Sequence, residues 1–190
     1  MKSNKKKLLL IELNEINFEI VQKYLKELKL VNFKKLIESD FNITRSENEY
    51  SKLEPWIQWV SVHTGKDAGE HKVYRLGDIV SHSNLNQIFE IVESKGFTVG
   101  CISPMNTLNK LKKPKYFIPD PWTATETDKS FWSRNISKAI NQAVNDNSNK
   151  KIKFSTILIL IGAFIKFSRV RNLFLYFKIF LLSFKKKMDE

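Results

Sequence analysis

Residues whose side chains could do chemistry fall into three clusters along the chain. The first is Glu12-Leu-Asn-Glu15, in which two carboxylates flank Asn14. The second is Glu54-Pro-Trp-Ile-Gln-Trp-Val-Ser-Val-His-Thr-Gly65, which offers the carboxylate of Glu54, the hydroxyls of Ser61 and Thr64, and the imidazole of His63. The third pairs Gly100-Cys-Ile-Ser-Pro-Met-Asn106 with Phe117-Ile-Pro-Asp-Pro-Trp-Thr123. A strand running into Ser-Pro-Met-Asn delivers Asn106 to the carboxyl edge of a sheet, where α/β folds bind ligands, and the rigid Asp120-Pro-Trp turn would border the same crevice. Asn106 and Asp120 are therefore ligand-binding candidates.

Each group also has a plain structural reading. Glu12 and Glu15 could end a strand and face solvent. Hydroxyls such as Ser61 and Thr64, inside or at the end of a helix, usually bond back to carbonyls. His63 has no partner visible in sequence, so a structural role competes with catalysis. Trp56 and Trp59, three apart, read as core or lid aromatics, and both proline-rich stretches read as ordinary connections.

Several chemistries are excluded outright. One cysteine, Cys101, rules out a disulfide scaffold and a cysteine-rich zinc site, and three histidines, His63, His71 and His82, leave little for a multi-histidine metal centre. Gly65, Gly69 and Gly77 lack the spacing and the Lys-Ser/Thr of a nucleotide-phosphate loop.

The elements that must hold these groups read as an α/β fold with a mainly parallel sheet flanked by helices, followed by a helical C-terminal segment. Leu8 to Leu13 is an apolar run of strand length, expected as a buried first strand. A basic lead before it imitates a secretion signal, but the apolar part is too short, Glu12 interrupts it and no small-residue cleavage site follows. A cytoplasmic chain is expected. Phe18 to Ile37 predicts one helix and a second starting near Asn32, and Asn42 to Thr44 a short strand. Pro55 opens a helix that Gly65 closes. Lys66 to Asp78 reads as a loop, Asn84 to Lys95 as an amphipathic helix, and Phe97 to Ile102 as a second buried strand. A short strand at Tyr116 to Ile118 and a helix at Phe131 to Val144 follow, then an Asp146 to Lys151 linker. Two regions emerge: an α/β part over 1–150 and a basic, apolar segment over 151–190.

The Glu54–Gly65 stretch, with Ala68-Gly-Glu-His71 after it, resembles the alkaline phosphatase superfamily, in particular its phosphodiesterase, phosphomutase and sulfatase-like branches. A proline-rich turn there enters a helix ending in Thr-Gly, followed by a Pro-x-x-His-Gly loop. Leu9-Leu-Ile-Glu-Leu-Asn-Glu15 resembles the family's first strand, and Asn32-Phe-Lys-Lys-Leu-Ile37 its following helix; the likeness spans roughly residues 8 to 80. It implies the N-terminal part of a metal-dependent hydrolase of phosphate or sulfate esters. A hydroxyl or modified cysteine at the helix start would attack, the helix N-terminus would stabilise the anion, and divalent zinc, manganese or magnesium would activate the nucleophile. Here the nucleophile position falls on Pro55 and the metal-binding aspartate position on Asn14. Glu12, Asn14 and Glu15 remain as the metal-ligand candidates, and Glu54, Ser61 and Thr64 as the catalytic ones. No histidine follows His82, so the family's later histidine ligands are missing from this sequence. The implied chain is a truncated or degenerate relative, inactive as it stands.

Charge points elsewhere. Residues 151–190 carry nine Lys/Arg against two Asp/Glu, a net +7 of the chain's +12. Basic and apolar together predict attachment to an anionic membrane surface or a protein partner, the alternative function for the chain. Phe154 to Ile165 falls short of the roughly twenty residues a bilayer span needs, and a break near Ser168 to Arg171 is expected. Nucleic acid is not an expected partner, because no motif supports it and the aromatics do not alternate with the basic residues.

Overall fold

A computed structural model describes residues 7–27, 30–39, 42, 49–145, 152–176 and 178. Along the chain run α1 (Phe18–Glu27), α2 (Val31–Ile37), α3 (Pro55–Thr64), α4 (Ala68–His71), α5 (Ile88–Ser94), β1 (Gly100–Ile102), β2 (Tyr116–Ile118), α6 (Phe131–Asn145) and α7 (Phe154–Phe167). Single 3₁₀ turns occupy Tyr50–Lys52, Asp78–Ser81 and Val170–Asn172. The class is mixed α/β. The expected strand at Asn42 to Thr44, Asn42 apart, and the linker at Asp146 to Lys151 lie outside the described residues.

Local chemistry sets the helix limits. Pro55 occupies the first turn of α3, where a missing N–H costs nothing, and Glu54 before it is extended. Gly65 closes the helix at φ 67°, donating its N–H to the Ser61 carbonyl at 2.8 Å. The stretch expected as a loop from Lys66 contains α4, because Asp67 and Glu70 form a reciprocal capping box. Charge and glycine had hidden that signal. α5 begins later than the expected Asn84. Gln87 caps it and turns its buried amide outward from the helix, donating to the Leu108 carbonyl at 2.7 Å and accepting from the Leu108 N–H at 3.2 Å.

The sheet is a two-stranded parallel pair, with Gly100 opposite Tyr116, Cys101 opposite Phe117 and Ile102 opposite Ile118. Bonds from Ser103 N–H to the Ile118 carbonyl and from Lys115 N–H to the Val99 carbonyl, both 2.7 Å, extend it at each end. β1 is shorter than the Phe97 to Ile102 strand expected from composition, and of its residues only Cys101 is buried.

The largest correction concerns the N-terminal run. Leu8 to Leu13 is not a buried strand: it joins no ladder, and Leu8 and Leu9 are each 80% exposed. A cleft of about 800 Å³, lined by Leu8, Leu10, Phe89, Val92, Cys101 and Tyr116, separates it from β1. A mostly apolar run has the composition of a strand covered on both faces, but composition does not supply the neighbour.

The core lies under α3 rather than on the sheet. Val60 packs with Val73, Ile79 and Leu85, and Leu108 closes the cluster. α6 follows β2, anchored by Asp128, whose carboxylate accepts from the Phe117 N–H, the Ser130 N–H and the Ser133 hydroxyl. Trp132 on α6 meets Phe167 and Gly162 of α7, while Gln142 accepts from the Thr156 hydroxyl at 2.6 Å. Those pairings make α6 and α7 antiparallel. α7 stops at Phe167 with Ser168 extended, which is the break expected there.

Gln87 gives a direct test of the loop packing. Gln87→Ala strips the Leu108 N–H and C=O of their partner and should cost about 2–3 kcal/mol, read as a lower urea midpoint with unchanged slope.

Candidate functional site

Three carboxyl-ward ends of the chain converge on the first turns of α3. Glu12 bonds His63 and Asn14 bonds Trp59, so advancing along the N-terminal strip moves backward along the helix. The strip's end therefore approaches the α3 N-terminus. The loop after β1 reaches the same turn, since Asn106 donates to the Trp56 carbonyl at 2.9 Å. The turn after β2 supports that loop through Asp120, which accepts from the Asn106 N–H at 2.9 Å. This is the carboxyl edge anticipated for Asn106 and Asp120.

Their side chains are nevertheless committed to the fold. Asn106 is fully buried at φ 50°, a left-handed conformation that asparagine tolerates better than most residues. Its amide donates to the carbonyls of Trp56 and Arg75, and its side-chain oxygen accepts from the Gly77 N–H at 2.9 Å. Gly77 itself sits at φ 87°, with the Trp122 carbonyl so near that a methyl would come within 3.2 Å of it. Asp120 accepts four bonds, from the N–H groups of Asn106, Trp122 and Thr123 and from the Thr123 hydroxyl.

The second polar cluster is built on His63. Its Nε2 lies 2.8 Å from a Glu12 carboxylate oxygen and its Nδ1 3.1 Å from the Thr107 hydroxyl, while the ring stacks on Trp59 and tilts against Phe89. A hydroxyl, an imidazole and a carboxylate in a row have the makings of a nucleophile relay. Thr107 is 1% exposed and His63 2%, so no substrate reaches the hydroxyl. The relay is a buried strut that ties the N-terminal strip to α3 and to the loop after β1. Sequence reasoning left His63 without a partner because Glu12 stands 51 residues away.

The helix hydroxyls divide. Thr64 bonds back to the Val60 carbonyl at 2.7 Å, the ordinary helical behaviour. Ser61 instead meets His71 Nε2 at 3.0 Å. Because His71 Nδ1 accepts the Val73 N–H at 3.0 Å, the neutral ring carries its proton on Nε2 and donates it to Ser61. His71 therefore cannot take a proton from Ser61, and the pair is no nucleophile–base couple. Glu54 is exposed at the helix start, and Glu15 is exposed at φ 56°.

The metal candidates do not form a donor set. Glu12 is spent on His63, Asn14 accepts the Trp59 indole N–H at 2.7 Å, and Glu15 points to solvent. Among the described residues no three His, Cys, Asp or Glu side chains converge. Cys101 lies beside the cleft under β1, and burial, reinforced by the charges of Glu12 and Glu90, pushes its thiol up to about 12. It stays protonated and unreactive at neutral pH.

No known protein family, curated protein or solved structure matches this chain.

Two outcomes check this geometry. Asn106→Ala leaves the Gly77 N–H unpaired in the interior and removes a second hydrogen bond from each of the Trp56 and Arg75 carbonyls, and should cost about 2–3 kcal/mol. Asn106→Gly, which relieves the left-handed backbone but restores none of those bonds, should remain comparably destabilised in urea titration. The second outcome concerns pH. Burial holds the His71 pKa below the usual 6.5, against the opposing pull of Asp67. The unfolded chain then binds the proton first as pH drops, so this contribution is intact above about 6.5 and is lost as pH falls toward the lowered folded value. Across the imidazole range, from about pH 7.5 to about pH 5.5, unfolding midpoints should fall more steeply for the native chain than for His71→Gln.

Proposed function

We propose that the chain is a degenerate, non-hydrolytic member of the metal-dependent phosphate- and sulfate-ester hydrolases, of the alkaline-phosphatase-like kind. One observation carries this reading. The ends of the N-terminal strip, β1 and β2 meet at the N-terminus of α3, the arrangement of an α/β ester-binding edge, yet the groups gathered there bond one another. Pro55 stands at the first turn, where the resembled family carries its nucleophile, and has no hydroxyl to offer. Asn14 stands for the metal-binding aspartate and is occupied by Trp59.

Chemically, what remains is a scaffold. The Ile57 and Gln58 N–H groups of α3's first turn donate to the Glu54 carbonyl, and the hydroxyls of Ser61 and Thr64 face inward to His71 and Val60. Among the described residues no donor set supports catalysis through zinc, manganese or magnesium. A reducing cytoplasmic setting goes with this reading, since the sole thiol is buried and unpaired.

The purified chain, assayed with each of these three metals, should give no turnover of an aryl phosphodiester or aryl sulfate above the metal-only rate. Metal-dependent turnover that is lost in Ser61→Ala or Glu54→Gln would sink the reading.

A further inference from the structure

We infer that α7 and the turn after it form a docking surface for an anionic lipid bilayer, lying in the plane of the interface. This does not rest on the ester-hydrolase reading above.

α7 packs on α6 through a narrow small-residue face. Thr156 is buried, Ile159, Gly162 and Ala163 are half-buried, and Gly162 lets the Trp132 ring approach. The rest of the helix is inverted relative to a surface helix of a water-soluble domain. Phe154 is 73% exposed, Ile165 72% and Phe167 61%, and Ile157, Leu158, Ile161 and Phe164 are all exposed as well. At about 100° per residue, Phe164, Ile157, Ile161, Phe154, Ile165 and Leu158 fall in one continuous arc of about 120° that contains no polar side chain. Past the break at Ser168 the apolar exposure continues through Val170, Phe174 and Leu175.

Charge chooses the occupant. Lys153, Lys166, Arg169, Arg171 and Lys178 are exposed around this arc, and none is paired with a carboxylate among the described residues. Residues 152–178 contain no Asp or Glu at all. An apolar arc rimmed by unpaired cations matches a surface that is greasy beneath and anionic on top: acyl chains for the arc, phosphate-bearing headgroups for the rim. Long Lys and Arg stems can bend toward those headgroups while their methylenes cover the arc's edge.

Length chooses the orientation. The 14 residues of α7 rise about 21 Å, well short of a hydrocarbon core of about 30 Å. No helix among the described residues is long and apolar enough to cross a membrane. α6 also lies along one side of α7, so only the outward arc is free to sink, and the helix must lie flat. The α/β part then remains on the water side.

The experiment is cosedimentation of the full 190-residue chain with vesicles of phosphatidylcholine alone and of phosphatidylcholine mixed with phosphatidylserine. The chain should pellet with the mixed vesicles, pellet weakly with the neutral ones, and be released in part at about 1 M salt, where charges are screened within about 3 Å. Ile161→Glu combined with Ile165→Glu places two carboxylates on the exposed arc and should abolish pelleting with its thermal transition unchanged. Arg169→Gln combined with Arg171→Gln keeps the arc and should weaken binding to the mixed vesicles by roughly thirtyfold; it decides the matter if the first variant fails to fold. Recovery of the native chain in the supernatant with both vesicle types would overturn the inference. So would equal pelleting with both types, insensitive to salt. Self-association without lipid, measured by light scattering and removed by the glutamate pair, would assign the arc to a second copy and overturn it as well.

Discussion

Much of this molecule hangs on one buried carboxamide. Asn106 satisfies backbone groups from two separate stretches, the first turn of α3 and the turn at Arg75 to Gly77, while its own N–H is held by Asp120. Stretches 29 to 50 residues away in sequence are thereby joined to it through a single side chain. An apolar residue could fill the space but could not accept the Gly77 N–H, and buried polar groups left unpaired are costly. The small core around Val60 and Val73 accordingly works beside a polar knot rather than alone. Where the sheet has only two strands, such a knot does the joining that a wider sheet would otherwise do.

The same economy explains why the junction looks like a binding edge and lacks free reactive groups. A carboxyl-edge site needs side chains held in place yet unsatisfied, ready for a ligand. Here Asp120 and Asn106 are held in place by being satisfied, Glu12 by His63, and Asn14 by Trp59. Open volume lies elsewhere, between the N-terminal strip and β1, where the walls are mainly apolar and the one thiol is kept protonated.

Local signals in the sequence were legible. Pro55 and Gly65 marked α3 at both ends, Tyr116 to Ile118 formed the strand anticipated, and α6 ran one residue beyond its expected end. These depend on backbone rules that act within a few residues. Long-range pairing was not legible. Five apolar residues of the six at Leu8 to Leu13, broken only by Glu12, carry the composition of an interior strand, but whether a neighbour lies at ladder distance is a property of the rest of the chain. The partners of His63 and the buried amide of Gln87 escaped for the same reason. The capping box of α4 was different: Asp67 and Glu70 display the right spacing, and glycine beside them obscured it. For the candidate site, Asn106 and Asp120 follow the carboxyl ends of β1 and β2, and their commitment to internal bonds could be seen only in three dimensions.

The strip's attachment sets the order in which the molecule comes apart. It is fastened to α3 by two side-chain bonds, Glu12 to His63 and Asn14 to Trp59, with no backbone ladder behind them. Peeling it away exposes little new apolar surface, since Leu8 and Leu9 already face water. Backbone amides over residues 8–13 should thus exchange with solvent through a local opening far cheaper than global unfolding, while those around Asn106 wait for the whole knot to fail. The amino end is the first part of this fold to loosen, and its release frees His63 and Glu12 together without disturbing the parallel strand pair.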